Sequence, residues 1–126
     1  MKISEIMKSQ RFTVSCEIFP LRAEEALDGV LAAAERIARL GPDFISVTYG
    51  AGGSTSKNTL GVAAHIQQAC GVPALAHLSC VSSTRSEIET LLRAFGQSGI
   101  ENILALRGDI PADMSFPAPG QYRYAS

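Results

Sequence analysis

Apolar and polar positions along the chain follow two periods, a period of two that is typical of strands and a period near 3.6 that is typical of helices. The predicted strands are residues 12–19, 44–49, 73–79 and 102–107. The predicted helices are a short amphipathic one around Ile3, Ile6 and Met7 and longer ones over 23–40, 57–70 and about 85–99. This βαβαβαβ order, with about 30 residues per unit, is typical of right-handed parallel crossovers.

Local signals mark the ends and the buried faces of two helices. The first long helix is followed by Gly41-Pro42, a common stop signal. Its apolar stripe consists of Leu27, Val30, Leu31, Ala34, Ile37 and Ala38. The last helix begins at a predicted capping box, with Thr84 as N-cap and Glu87 as its partner. We expect that helix to bury Ile88, Leu91, Leu92 and Phe95.

Polar residues recur on one face of every predicted strand, toward its C-terminal end. They are Thr13, Ser15 and Glu17, then Ser46 and Thr48, then His77 and Ser79, and finally Arg107 and Asp109 after Ile103 and Ala105. A doubly wound sheet carries helices on both faces and needs apolar residues on both. One polar face is typical of a barrel lumen near its catalytic mouth. The pattern therefore predicts a (β/α)₈ barrel of the TIM type.

The length of the chain permits half of such a barrel. A complete barrel needs about 250 residues, whereas these 126 residues contain the first four βα strands. A half-barrel would leave two unpaired sheet edges and an uncovered inner face. Either the chain is a piece of a longer protein, which we prefer, or a second copy or a partner completes the barrel.

Composition and charge argue against several classes of function. A net charge of −1 gives no electrostatic reason to bind nucleic acid or an anionic membrane. No apolar run approaches the roughly 20 residues needed to cross a bilayer, and the N-terminal residues are too polar for a signal peptide. Cys16, Cys70 and Cys80, an odd number without a CxxC pair, favour a reduced cytoplasmic protein. His77 and Cys80 alone are too few ligands to predict a metal site, and we expect none.

Three groups at the predicted strand ends have side chains suited to chemistry. Glu17 lies between apolar neighbours, and partial desolvation of a carboxyl there would suit a general acid; a structural hydrogen bond in a polar layer is the alternative. His77 is either a ligand of a cofactor ring or a satisfied lumen residue. In Arg107-Gly108-Asp109, the glycine allows a planar ligand to approach, and the two charged groups can bind polar atoms of that ligand. A local ion pair is the alternative for this tripeptide.

Five segments, in this order and at this spacing, match one known family. They are residues 14–20 (VSCEIFP), 46–55 (SVTYGAGGST), 76–80 (AHLSC), 105–111 (ALRGDIP) and 124–126 (YAS). The chain thus resembles the N-terminal half of the methylenetetrahydrofolate reductase family, so residues 1–126 are expected to form half of its barrel domain. Leu21 stands where the family commonly has a second proline.

The resemblance implies a flavin enzyme of one-carbon metabolism and methionine biosynthesis. Such an enzyme holds FAD at the C-terminal ends of its barrel strands. It reduces 5,10-methylenetetrahydrofolate to 5-methyltetrahydrofolate with electrons from NADH or NADPH. Glu17 would be the general acid that helps to open the five-membered ring of the folate, and Asp109 would lie between flavin and pterin. The implied flavin contacts are Thr48, His77, Leu106, Arg107, Gly108 and Asp109, with Tyr124 and Ala125 at the more distal part of the cofactor.

Two other functions stay open. The chain could be a catalytically incomplete half-barrel that self-associates, or a flavin-free pterin-binding barrel such as a methyltransferase. The sequence contexts of Glu17 and Arg107-Gly108-Asp109 favour the reductase over the pterin-binding barrel. The expected partners are a small folate substrate and either further copies of the chain or the missing C-terminal half of the barrel.

Overall fold

A computed structural model describes residues 1–9, 12–20, 27–49, 56–81 and 83–109 of the chain. Helices and strands alternate along these residues, as the sequence predicts. The helices are α1 (Ile3–Ser9), α2 (Leu27–Ala38), α3 (Ser56–Gln68) and α4 (Arg85–Gln97). The strands are β1 (Ser15–Ile18), β2 (Phe44–Val47), β3 (Ala74–Ser79) and β4 (Asn102–Leu106).

The four strands form one parallel sheet in the order β1-β2-β3-β4. In its register, Glu17 lies opposite Ser46, and His77 lies opposite Leu104. A doubly wound sheet reverses its strand order at a switch point, whereas a (β/α)₈ barrel adds strands in sequence. The predicted fold class is confirmed as α/β, with a sheet compatible with part of a TIM barrel.

One face of the sheet is covered by α2, α3 and α4. Alternate strand residues such as Ile45, Ala76 and Leu78 are buried there against the helices. The helical side of this core includes Val30 and Ala34 of α2, Val62, Ala63 and Ile66 of α3, and Ile88 and Phe95 of α4. All six members of the apolar stripe predicted for the first long helix contact this core, as expected for an i, i+3, i+4 pattern.

The opposite face of the sheet is closed at its N-terminal end by α1. Ile3 and Ile6 of this helix pack on Phe44 and Leu75, near the starts of β2 and β3. Asn102, which is buried at the start of β4, connects this helix to the sheet by hydrogen bonds. Its Oδ1 accepts the amide N–H of Ile3 at 2.9 Å, and its Nδ2 donates to the carbonyl oxygens of Met1 and Ala74 at 3.1 and 3.3 Å. The N-terminal helix is thus part of the fold.

The capping box predicted for α4 is present. The Glu87 N–H donates to Thr84 Oγ1 at 3.3 Å, and Glu87 Oε2 accepts the Thr84 N–H at 2.7 Å. Two side chains that the apolar spacing placed inward are exposed, Leu92 on α4 and Met7 on α1. Leu92 follows Leu91 by one position, about 100° around the helix, and so leaves the stripe that packs on the sheet.

No helix in the described ranges is both long and apolar enough to cross a membrane.

Candidate active site

Glu17, Ser46 and His77 come together on the sheet face that the helices leave open. They lie on three adjacent strands, and each occupies the polar phase of its strand. Ser46 Oγ donates to Glu17 Oε2 at 3.2 Å. His77 Nε2 lies 3.9 Å from the same oxygen, which is beyond hydrogen-bond range but close enough for an ion pair when the imidazole is protonated.

The three side chains differ in their exposure. Ser46 is buried, the His77 side chain is 12% exposed, and the Glu17 side chain is 45% exposed. The carboxyl therefore stands at the mouth of the cluster, with its two polar neighbours beneath it. The apolar sequence neighbours of Glu17 predict partial desolvation; in the structure 45% of its side chain is exposed and the described residues cover the rest.

Thr48 follows the end of β2 and is held by the backbone around it. Its N–H donates to the Ile18 carbonyl oxygen at 3.0 Å, and its Oγ1 lies 3.4 Å from the same oxygen. Thr59 Oγ1, from α3, donates to the Thr48 carbonyl oxygen at 2.9 Å. These contacts join the β1 and β2 strand ends to α3, so Thr48 occupies a fixed position beside the Glu17 cluster.

The loop that follows β4 is anchored on the end of β3. The Val81 N–H donates to the Arg107 carbonyl oxygen at 2.7 Å, and the Cys80 N–H reaches the Leu106 carbonyl oxygen at 3.0 Å. Gly108 has a φ of 85°, a conformation that side chains with a Cβ adopt at a cost. A Cβ built on Gly108 would overlap the Ser79 hydroxyl and lie 3.1 Å from Val81 Cγ1. The backbone here therefore passes closely over the end of β3.

The prediction that Ile103 and Ala105 lie on the polar face of the fourth strand is wrong. Because His77 pairs with Leu104 and Ser79 with Leu106, these leucines share the open face with the Glu17 cluster. Ile103 packs instead on the helix-covered core. Each of the two leucines is 40% exposed. The open face thus has a polar part on β1 to β3 and an apolar part on β4.

The predicted charged residues after β4 are exposed and make few contacts. Arg107 Nε donates to the Gly108 carbonyl oxygen at 3.1 Å. Within the described part of the chain, Arg107 forms no ion pair with Asp109, so the local ion pair considered for this tripeptide is not seen there. Tyr124 and Ala125 lie outside the described residues.

Two serines belong to the site although the candidate site residues did not include them. Ser46 supplies the hydrogen bond to Glu17, and Ser79 packs against Gly108. Their place on the polar face of β2 and β3 was the available signal. What the signal lacked was the register, which decides which polar residue lies next to which.

His77 and Cys80 do not share a face. Cys80 is buried in the core on the helix side, whereas His77 points to the open face with Glu17. The two side chains are thus turned away from each other and are not placed to hold one ion. In the described ranges no three His, Cys, Asp or Glu side chains are grouped as metal ligands would be.

The fold and the site together define a class of protein, an α/β protein whose parallel sheet is compatible with part of a (β/α)₈ barrel and carries a carboxyl-centred polar site toward the C-terminal ends of its strands. Comparison with known proteins identifies the family: the sequence profile of methylenetetrahydrofolate reductase matches residues 2–126. The chain therefore belongs to the methylenetetrahydrofolate reductase family.

Individual relatives agree with this assignment. A rice protein (Oryza sativa subsp. japonica) described as a probable methylenetetrahydrofolate reductase (NADH) is 39% identical over 110 residues, 87% of this chain and 18% of the relative. The 5,10-methylenetetrahydrofolate reductases of Salmonella typhimurium and Escherichia coli are 37% and 36% identical over 107 residues. That match covers 85% of this chain and 36% of each bacterial relative. The chain thus spans about a third of the bacterial proteins and less than a fifth of the rice protein.

Proposed function

We propose that the chain is the first part of a flavin-dependent methylenetetrahydrofolate reductase that converts 5,10-methylenetetrahydrofolate to 5-methyltetrahydrofolate. The main support is the Glu17 carboxyl, which stands half-exposed at the strand ends with Ser46 and His77 beneath it. A general acid needs a carboxyl that is held in place and that the substrate can reach. Family membership supplies the substrate class, since the bacterial relatives are named for 5,10-methylenetetrahydrofolate.

The open face that carries Glu17 also offers surfaces suited to a flavin. A flavin is a flat, largely apolar ring with polar edges, and the exposed Leu104 and Leu106 offer an apolar surface of that kind. The Gly108 backbone lies directly against Ser79 at the end of β3, which places the neighbouring Arg107 and Asp109 at the rim of this face. When bound there, FAD would supply the hydride that reduces the substrate. The proposed flavin contacts are Thr48, His77, Leu106, Arg107, Gly108 and Asp109. For Tyr124 and Ala125, only the family resemblance supports a contact.

In this proposal Glu17 transfers its proton to the folate as the five-membered ring opens. Asp109, on the anchored loop after β4, would contact both ligands from the opposite side of the open face. The plant relative is named for NADH, which favours NADH over NADPH as the electron donor. The odd number of cysteines and the absence of a CxxC pair in the sequence support a cytoplasmic location.

The site needs further strands to be complete. β1 and β4 are the edge strands of the described sheet. Among the described residues, the face that carries Glu17 is covered only at its N-terminal end, by α1. The relatives are much longer than this chain. We therefore propose that a segment equivalent to their later part supplies the remaining strands and closes the barrel. Self-association of two half-barrels is the competing arrangement.

The first test is the visible absorbance of the purified chain with added FAD, measured together with its mass in solution. Flavin retained by the chain, or by the chain joined to the later part of a bacterial relative, supports the proposal. A completed barrel that binds folate without retaining flavin would overturn it in favour of the pterin-binding alternative. An assembled dimer of the chain that retains flavin would show that two half-barrels can form the site.

A further inference from the structure

Within the described part of the chain, the polar contacts of the Glu17 carboxyl reach one of its two oxygens. Ser46 Oγ is 3.2 Å from Oε2, and His77 Nε2 is 3.9 Å from that same atom. Among the described residues, none forms a hydrogen bond or an ion pair with Oε1. The side chain is 45% exposed, and Oε1 is the oxygen that these residues leave without a polar partner, so we take it as the one that meets a ligand on the open face.

The Ser46 hydroxyl has two acceptors within reach. Besides Glu17 Oε2, the carbonyl oxygen of Cys16 lies 3.4 Å from Ser46 Oγ. A serine hydroxyl has one proton, so it donates fully to one acceptor at a time. An ionised carboxylate is a stronger acceptor than a backbone carbonyl or a protonated carboxyl. The hydrogen bond to Glu17 is therefore strongest when Glu17 has lost its proton.

We propose that Ser46 is a positioning residue for Glu17 as a proton donor, an inference that rests on the function proposed above. Its hydroxyl holds Oε2 against the sheet and directs the proton-carrying Oε1 toward the substrate. The same bond strengthens as Glu17 becomes a carboxylate, so it favours the state in which the proton has been transferred. Because Ser46 is buried, water has little access to its hydroxyl, which leaves Glu17 Oε2 and the Cys16 carbonyl oxygen as its acceptors.

The step balances without a further reactant. The proton leaves Glu17 Oε1 for the folate nitrogen whose bond to the one-carbon unit breaks, and that nitrogen keeps the electron pair of the broken bond. The second ring nitrogen shares its lone pair with the carbon, which gives the iminium. Glu17 is left as a carboxylate, with Oε2 accepting from Ser46.

The contact can be tested in the 126-residue chain without flavin or activity. In protein labelled with ¹³C at the glutamate carboxyls, loss of one resonance in Glu17→Gln assigns Glu17. At one fixed neutral pH, Ser46→Ala is expected to shift that resonance, and Ser46→Thr, which keeps the hydroxyl, is expected to restore it. Ser15→Ala is the matched control, because Ser15 lies on the same face of β1 and is exposed.

An unchanged Glu17 resonance in Ser46→Ala, or an equal shift in Ser15→Ala, would overturn the positioning contact. Should Ser46→Ala fail to fold, the unsubstituted chain gives the answer. A through-space signal between the Ser46 hydroxyl proton and the Glu17 side chain is expected there, and its absence would overturn the proposal.

A second measurement separates this inference from the proposed function. In the completed barrel, Ser46→Ala is expected to slow folate reduction about tenfold at saturating folate, the effect of one hydrogen bond to a charged group. The Michaelis constant for folate and the rate of flavin reduction by NADH should stay unchanged. Full folate reduction in Glu17→Gln would refute the proposed acid, whereas a normal rate in Ser46→Ala alone would refute only the role of Ser46.

Discussion

The backbone of Gly108 lies directly against the hydroxyl of Ser79, where the loop after β4 crosses the end of β3. A Cβ at position 108 would overlap Ser79 Oγ, and the φ of 85° is itself unfavourable for any other residue. Arg107 and Asp109 flank this contact. The placement of both charged side chains therefore depends on the glycine between them.

Gly108→Ala is expected to destabilise the chain by about 2–4 kcal/mol, since it adds left-handed backbone strain to a steric overlap. Chemical denaturation measures this loss. Gly61→Ala is the control, because no atom lies within 4 Å of a Cβ built there on α3, and alanine should stabilise a helix by about 1 kcal/mol. In a Ser79→Ala background the Gly108→Ala loss should shrink; the same loss in both backgrounds would show that the overlap is not its cause.

Glu17→Gln tests the proposed proton transfer in the completed barrel. Glutamine keeps the size of the side chain and its reach to Ser46 but has no acidic proton. Folate reduction should fall by about 10²- to 10⁴-fold, the usual contribution of a general acid, while flavin reduction by NADH keeps its rate. Stopped-flow absorbance of the flavin follows each half-reaction separately. Equal losses in both half-reactions would point to a damaged site and would refute the assignment of Glu17 as the acid.

Much of this fold is predictable from sequence because its helices and strands carry strong local signals. The stripe on α2 has the helical period, and every member of it packs on the core. Thr84 and Glu87 form the capping box that their spacing predicts. Such features depend on residues a few positions apart, so the sequence alone contains the information needed to predict them.

The phase of β4 and the neighbours of Glu17 depend on long-range pairing instead. Counting back from Arg107 put Ile103 on the polar face, but strand alternation ends at Leu106 and the backbone turns at Gly108. The register between β3 and β4 places Leu104 there. Likewise, Ser46 is one of several serines on polar faces, and the pairing of β1 with β2 makes it the neighbour of Glu17.

Asn102→Ala is expected to loosen the N-terminal helix from the sheet. The substitution removes three side-chain hydrogen bonds at a buried position, one to the Ile3 N–H and one to each of the Met1 and Ala74 carbonyl oxygens. A loss of roughly 2–3 kcal/mol follows from the cost of unsatisfied buried groups. Hydrogen exchange at the Ile3 amide should speed up along with it. Gln97→Ala, at the exposed end of α4, is the control and should change neither the stability nor the exchange rate. An Ile3 amide that stays protected in Asn102→Ala would show that Asn102 does not hold the helix on the sheet.

The capping box makes the stability of the chain depend on pH in the acidic range. Hydrogen bonds from the Thr84 backbone and, secondarily, its hydroxyl lower the pKa of Glu87 below its usual value of 4.5. A carboxyl whose pKa is lower in the folded state binds its proton more weakly there than in the unfolded chain. The ionised Glu87 therefore stabilises the fold above about pH 4.5, and this contribution disappears as the pH falls through the lowered pKa.

Glu87→Gln removes this titration. The unsubstituted chain should be more stable than Glu87→Gln at neutral pH, and the two should converge as the pH falls well below 4.5, in denaturation series run across that range. Glu89→Gln is the comparison, because Glu89 on the same helix pairs with Arg85 in an exposed i, i+4 contact that contributes little. A stability difference for Glu87→Gln that stays constant from neutral pH down to acid would mean that the carboxylate charge does not contribute to the cap. In that case the amide of glutamine and the carboxylate would differ only in how well each fits the Thr84 N–H.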